Sequence, residues 1–116
     1  VTVKEFALHN GYKILSCVDR AEELEITGVY ICDLLSMAMA KIDDGELWIT
    51  VHTNLNIIAI ASLTNASCIV IPEGIEVEEN TINKAQEKEV VIVQASDRSY
   101  DICINFYRQK SGVTYD

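Results

Sequence analysis

The stretch Glu46-Leu-Trp-Ile-Thr-Val-His-Thr-Asn-Leu-Asn56, followed directly by Ile57-Ile-Ala-Ile-Ala-Ser-Leu63, decides how this chain is read. Leu47, Ile49 and Val51 alternate with Trp48 and Thr50, which is the period of a strand. The pattern stops at His52, where Thr53, Asn54 and Asn56 take over, and the apolar run beyond them has the length of a buried helix. A buried strand that ends in a polar cluster and passes straight into a buried helix is the expected location of any functional site.

Working outward toward the N-terminus, Ile26 to Asp33 is a short β-prone run containing Gly28, followed by a helix from Leu34 to Ile42 that closes at Asp43-Asp44-Gly45. Asp33 is the expected N-cap of that helix, because its carboxylate can accept the free amide protons of the first turn. Glycine inside a strand marks a bulge or a close approach, by a ligand or by another strand. Further upstream, Thr2 and Glu5 have capping-box spacing, and the helix they start ends at Asn10-Gly11. Tyr12 to Cys17 reads as a strand and Val18 to Glu25 as a polar, acidic connection.

Toward the C-terminus, Ala66 to Ile71 is a continuous apolar strand stopped by Pro72-Glu73-Gly74, and Val77 to Glu89 is a charged amphipathic helix with Ile82 and Ala85 inward. Val90 to Val93 is a further strand. Asp97 or Ser99 caps a last helix carrying Tyr100, Ile102, Cys103, Phe106 and Tyr107. Residues 1–109 form one domain on this reading, with 110–116 a disordered tail. Strands that are apolar throughout and separated by helices imply an α/β fold: a single domain with a mostly parallel sheet of four to five strands and helices on both faces.

Nine Lys and Arg against eighteen Asp and Glu give a formal net charge of -9, which repels phosphate backbones and anionic lipid, so neither nucleic acid nor membrane is an expected partner. No apolar run approaches the roughly 20 residues of a membrane span. No signal-peptide order opens the sequence, and a cytoplasmic location is expected. Cys17, Cys32, Cys68 and Cys103 are scattered singly, without CxxC pairs or zinc-module spacing, and read as free structural thiols.

In open α/β sheets ligands bind outside the carboxyl ends of the strands. That edge should collect Tyr30 and Asp33, then His52, Thr53, Asn54 and Asn56, then Glu73 and Gly74, then Ser96 and Asp97. Helix N-termini at Leu34 and near Leu55 could offer amide protons to a small anionic or nucleotide-like ligand. Plainer roles compete with that one: Asp33, Asn54 and Asn56 as caps, His52 as a satisfied polar residue, and Trp48, Met37 and Met39 as core or dimer-face residues. GxSxG, HExxH, Cys-His-Asn and GxxxxGK[ST] patterns are all missing, so neither catalysis nor a metal or other cofactor is expected.

Ile26-Thr-Gly-Val-Tyr-Ile-Cys-Asp-Leu-Leu-Ser36, taken with Trp48-Ile-Thr-Val-His-Thr-Asn-Leu-Asn-Ile57, resembles the DRTGG-domain family over roughly residues 1–108. Members stand alone, form a module of bacterial phosphotransacetylases, or lie between CBS domains in some clostridial pyrophosphatases; a related fold is the N-terminal domain of HPr kinase/phosphorylase. Glu25, Ile26 and Val29 replace the name-giving aspartate, arginine and second glycine, whereas Thr27 and Gly28 are retained. The P-loop of HPr kinase/phosphorylase belongs to a separate domain without a counterpart here. The resemblance implies a non-catalytic regulatory module that forms a homodimer and senses a ligand such as an adenine nucleotide, with Thr27 and Gly28 joining the His52–Asn56 cluster in one pocket. The alternative is an interaction subunit that docks on a larger metabolic or redox enzyme.

Overall fold

The computed structural model describes residues 1–112. The first helix, α1 (Val3–Asn10), starts at the expected capping box. Thr2 Oγ1 accepts from the Glu5 amide at 3.1 Å, Glu5 Oε1 accepts from the Thr2 amide at 2.9 Å, and Gly11 ends the helix at φ 71°. There follow β1 (Lys13–Ile14), α2 (Val18–Ala21), β2 (Gly28–Ile31), α3 (Leu35–Lys41), β3 (Glu46–Ile49), α4 (Asn56–Thr64), β4 (Cys68–Ile71), α5 (Glu79–Lys88), β5 (Ile92–Gln94) and α6 (Ser99–Ser111).

The sheet has the order β1-β5-β4-β3-β2, with β2 to β5 parallel and β1 antiparallel on β5. Four parallel strands laid down in sequence order, joined by right-handed crossovers, put α3, α4 and α5 on one face. Side-chain packing agrees. Trp48, Ile69, Ile71 and Ile92 pack with Ala38, Ile57, Ile58, Ala61 and Ala85, whereas Leu47, Ile49, Cys68, Val70 and Val93 pack with Val3, Phe6, Ala21, Ile102 and Phe106 on the other face. Phe6 meets Tyr12 and Phe106 edge-on, with ring centroids 5.4 and 6.0 Å away, and so joins α1 to α6. The alternation read in β3 is therefore an alternation between two cores. Both Leu47 and Trp48 are fully buried, because each side of the strand is covered.

Several local expectations are corrected. The 18–25 connection contains the short helix α2, and β1 is two residues long rather than six. Strand β3 ends at Ile49, although Thr50 stays buried. Helix α6 runs through Lys110 and Ser111 to Gly112, two residues into the expected tail, and residues 113–116 lie outside those described.

Candidate functional site

At the C-terminal edge of the sheet, the chain leaving β2 is tied to the chain leaving β3. Asp33 Oδ1 accepts from Thr50 Oγ1 and from the Val51 amide, each at 2.9 Å. His52 Nε2 lies 2.5 Å from the Asp33 carbonyl oxygen, which can only accept, so the imidazole carries its proton on Nε2. The His52 amide donates to Thr50 Oγ1 at 3.3 Å. Below this knot Trp48 Nε1 donates to the Cys32 carbonyl at 3.0 Å and the Cys32 amide to the Ile49 carbonyl at 3.3 Å. Beside it, Thr53 Oγ1 donates to Glu78 Oε1 at 3.2 Å, which reaches the segment entering α5.

Three expected caps are corrected. The N-cap of α3 is Leu34, without a side-chain cap, because the Asp33 carboxylate faces the buried Thr50 hydroxyl and leaves the helix alone. The N-cap of α6 is Arg98, and neither Asp97 nor Ser99 fills that role. Asp97 Oδ2 accepts from Tyr12 Oη at 2.8 Å and from Asn105 Nδ2 at 3.3 Å, and burial together with the Asp97 carboxylate raises the Tyr12 phenol. At α4 the N-cap is Leu55. Asn54 Oδ1 accepts from the Asn56 amide at 3.0 Å, two positions ahead of the helix, of which Asn56 is the first residue.

The remaining expected site residues divide between the two ends of the sheet. Glu73 and Gly74, both at positive φ, form the turn after β4, and their amides donate to the Asp97 and Ala95 carbonyls at 2.9 and 2.8 Å, so those donors are already engaged. Thr27 and Gly28 lie at the opposite, N-terminal edge. Gly28 pairs with Glu46, and Thr27 Oγ1 donates to the Asp44 carbonyl at 2.9 Å. The close approach at Gly28 is that of the Glu46 side chain, whose Oε2 would stand 3.3 Å from an added Cβ. Four strand residues at roughly 3.3 Å each separate this edge from Asp33, so within one chain Thr27 and Gly28 do not share a pocket with the His52 cluster. Thr50 and Glu78, by contrast, join the cluster. Thr50 carried a signal, a hydroxyl in an otherwise apolar buried strand that had to find a partner; Glu78 carried none.

Elsewhere, a groove of about 350 Å³ between α4 and α5 has Leu55, Ile58, Ala59 and Leu63 along it and Lys84 and Lys88 at its rim. All four cysteines are free, and burial pushes the Cys68 thiol up to about 12, far from a nucleophile's range. Among the described residues no group of three or more His, Cys, Asp or Glu side chains could hold a metal ion, and no helix is long and apolar enough to cross a membrane.

The fold is similar to that of a solved regulatory region that contains a DRTGG domain. The structure of the CBS and DRTGG domains of the regulatory region of Clostridium perfringens pyrophosphatase, complexed with the activator diadenosine tetraphosphate, matches it with a TM-score of 0.66 at 11% sequence identity. The match covers 87% of this chain and 44% of that one, so the chain spans less than half the length of that regulatory region. At this identity the likeness is one of fold. No protein-family model matches the sequence, and no curated protein matches it.

The sheet runs its four parallel strands in sequence order, and this bears on where a ligand can sit. The deep crevice of doubly wound sheets forms where strand order reverses. Strands β2 to β5 contain no such reversal, so the C-terminal edge offers a shallow rim of side chains and loop backbone. That rim carries the carboxylates of Asp33, Glu73, Glu78 and Asp97 with the imidazole of His52. Such a set accepts hydrogen bonds from hydroxyl and amino groups, and leaves phosphate to be neutralised by its own counterion.

Proposed function

We propose that this chain is a non-catalytic regulatory module that dimerises and senses a small nucleotide-like ligand at the C-terminal edge of its sheet, around Asp33, His52, Thr53, Asn54 and Asn56. The observation that carries the reading is the match of its fold to a regulatory region seen with a nucleotide activator. The hydrogen-bonded knot of Asp33, Thr50 and His52 supports it, since it holds polar groups in place without a nucleophile or a general acid–base pair among them. The carboxylates on this rim favour recognition of the sugar and base, with the phosphates screened by a bound cation.

Isothermal titration with adenosine mono-, di- and triphosphates and diadenosine tetraphosphate, with and without magnesium, tests the sensing. Saturable binding that weakens in His52→Ala is expected. Heat signals no different from dilution up to millimolar ligand would end the sensing part of the proposal.

Docking on a larger metabolic or redox enzyme is the second reading, favoured by a surface observation. Met39, Leu55 and Leu63 are exposed on α3 and α4, and residues 47 to 72 contain no Asp, Glu, Lys or Arg. This apolar helical face, on a chain of charge -9, suits attachment to an apolar partner surface.

A further inference from the structure

Helix α4, with its N-cap Leu55, carries apolar residues on all sides. Ile57, Ile58, Ile60 and Ala61 are buried against the sheet, and the opposite side presents Leu55, Ala59 and Leu63, one turn apart, with Leu55 at 45% and Leu63 at 74% of full accessibility. A helix without a polar face is one that is covered on both sides when its assembly is complete. Along this stripe runs the groove of about 350 Å³ between α4 and α5, with the buried Ile58 inside it and Lys84 and Lys88, one turn apart on α5, at its rim. Those two lysines are the charged residues that line it. Residues 47 to 72 carry no charge, and the acids of α5, Glu79 and Glu87, lie off the groove. Lys84 Nζ stands 3.5 Å from Glu87 Oε1, an exposed pair of the kind that contributes little, and Lys88 has no ion pair among the described residues.

We propose that this groove receives an acidic amphipathic helix of a partner protein, its apolar residues seated along Leu55, Ala59 and Leu63 and its carboxylates meeting Lys84 and Lys88. A helix suits the groove because both walls are helices. Their backbone groups are engaged within each helix, so an extended peptide finds nothing to pair with, whereas a helical one brings its own backbone bonds. The length agrees, since Leu55 to Leu63 spans about 12 Å at roughly 1.5 Å per residue, the reach of a row of anchors over two turns. Charge selects the occupant. The aliphatic stems of the lysines extend the apolar wall while their ammonium groups favour carboxylates on the flank of the incoming helix. A single helix responds mainly to charges within a Debye length of about 8 Å. A second copy of net charge -9, or an anionic bilayer, also faces the acidic remainder of the chain and is repelled by it.

This rests on the docking reading given above and adds to it the secondary structure and the charge of the partner. It does not depend on nucleotide sensing, because neither lysine belongs to the rim around Asp33 and His52.

Two labelled, helix-stapled peptides test it by fluorescence anisotropy against the full chain. Both carry leucine at i, i+4 and i+7, and they differ only in their flanks, which are glutamate in one and lysine in the other. The glutamate peptide should bind saturably and about tenfold or more tightly than its lysine twin, with the difference shrinking as salt is raised. The double variant Lys84→Glu, Lys88→Glu should reverse that order, and Leu63→Glu should abolish binding of the glutamate peptide while the fluorescence of Trp48 shows the fold intact. Equal affinity for the two peptides would overturn the acidic partner and leave docking at this face standing. Binding of neither peptide up to millimolar concentration would overturn both. Undiminished binding of the glutamate peptide to Leu63→Glu would place it outside the groove and refute the assignment. Two further outcomes would give the groove to another occupant and likewise refute it: self-association of the native chain that is lost in Leu63→Glu, and flotation of the native chain with phosphatidylserine vesicles.

Discussion

Replacing Asp33 by alanine tests whether this carboxylate works as a helix cap or as the clasp between the ends of β2 and β3. Its Oδ1 accepts two hydrogen bonds of 2.9 Å, from the buried Thr50 hydroxyl and from the Val51 amide. Hydrogen bonds to a charged group contribute roughly 1.5–3 kcal/mol each, but the Asp33 side chain is exposed, so about 1 kcal/mol apiece is the appropriate scale. Asp33→Ala should therefore cost about 2 kcal/mol, and Thr50→Val about 1 kcal/mol. In the double variant the shared bond is lost once, so the total should be about 2 kcal/mol instead of the additive 3, a coupling of about 1 kcal/mol. For a domain of this size that corresponds to a fall in Tm of roughly 8–10 °C for the Asp33 variant. Urea unfolding followed by the fluorescence of Trp48, the sole tryptophan and fully buried, measures all four stabilities. A cap acting on α3 would give costs that add within about 0.5 kcal/mol, and that result would refute the clasp.

Ser16 Oγ is buried, donating to the Val90 carbonyl at 2.7 Å and accepting from the Ile92 amide at 2.8 Å, so Ser16→Ala orphans two backbone groups and should cost about 2–3 kcal/mol in the same assay; a cost under about 0.5 kcal/mol would contradict this. The Glu5 carboxyl is held below its ordinary value by hydrogen bonds from the Thr2 backbone and then its side chain. Its folded value being the lower one, the stabilisation is present above the unfolded pKa of about 4.3 and is lost as pH falls through the folded value. Glu5→Gln should accordingly flatten the acid limb of a stability–pH curve below about pH 4.3, and an identical limb would show that the capping box is not linked to that titration.

The order of strands and helices was legible because each central strand is a short apolar run bounded by turn residues. Burial on both faces is written into composition when neither face alternates with water. The capping box at Thr2 and Glu5 was equally legible, since both partners lie within one turn. Asp33 and Asp97 were misread for the opposite reason. A carboxylate next to a helix start has a nearby local partner in sequence, and only packing reveals that Thr50 and Val51 sit near one, or Tyr12 and Asn105 near the other. The polar cluster from His52 to Asn56 did fall at a strand end, and its link to Asp33 was beyond sequence because 19 positions separate His52 from it along the chain.

By itself the sequence determined a two-faced, mostly parallel α/β sheet, its helix boundaries to within a few residues, and a polar junction after the central strand. Local periodicity and turn chemistry suffice for those, because they depend on neighbours along the chain. Tertiary structure alone decided that β1 runs antiparallel on β5, that the four parallel strands lie in sequence order without the reversal that opens a crevice, and that Thr27 and Gly28 stand at the far end of the sheet from His52. Strand order and direction are set by which apolar faces meet, a comparison across the whole chain that no window of residues contains.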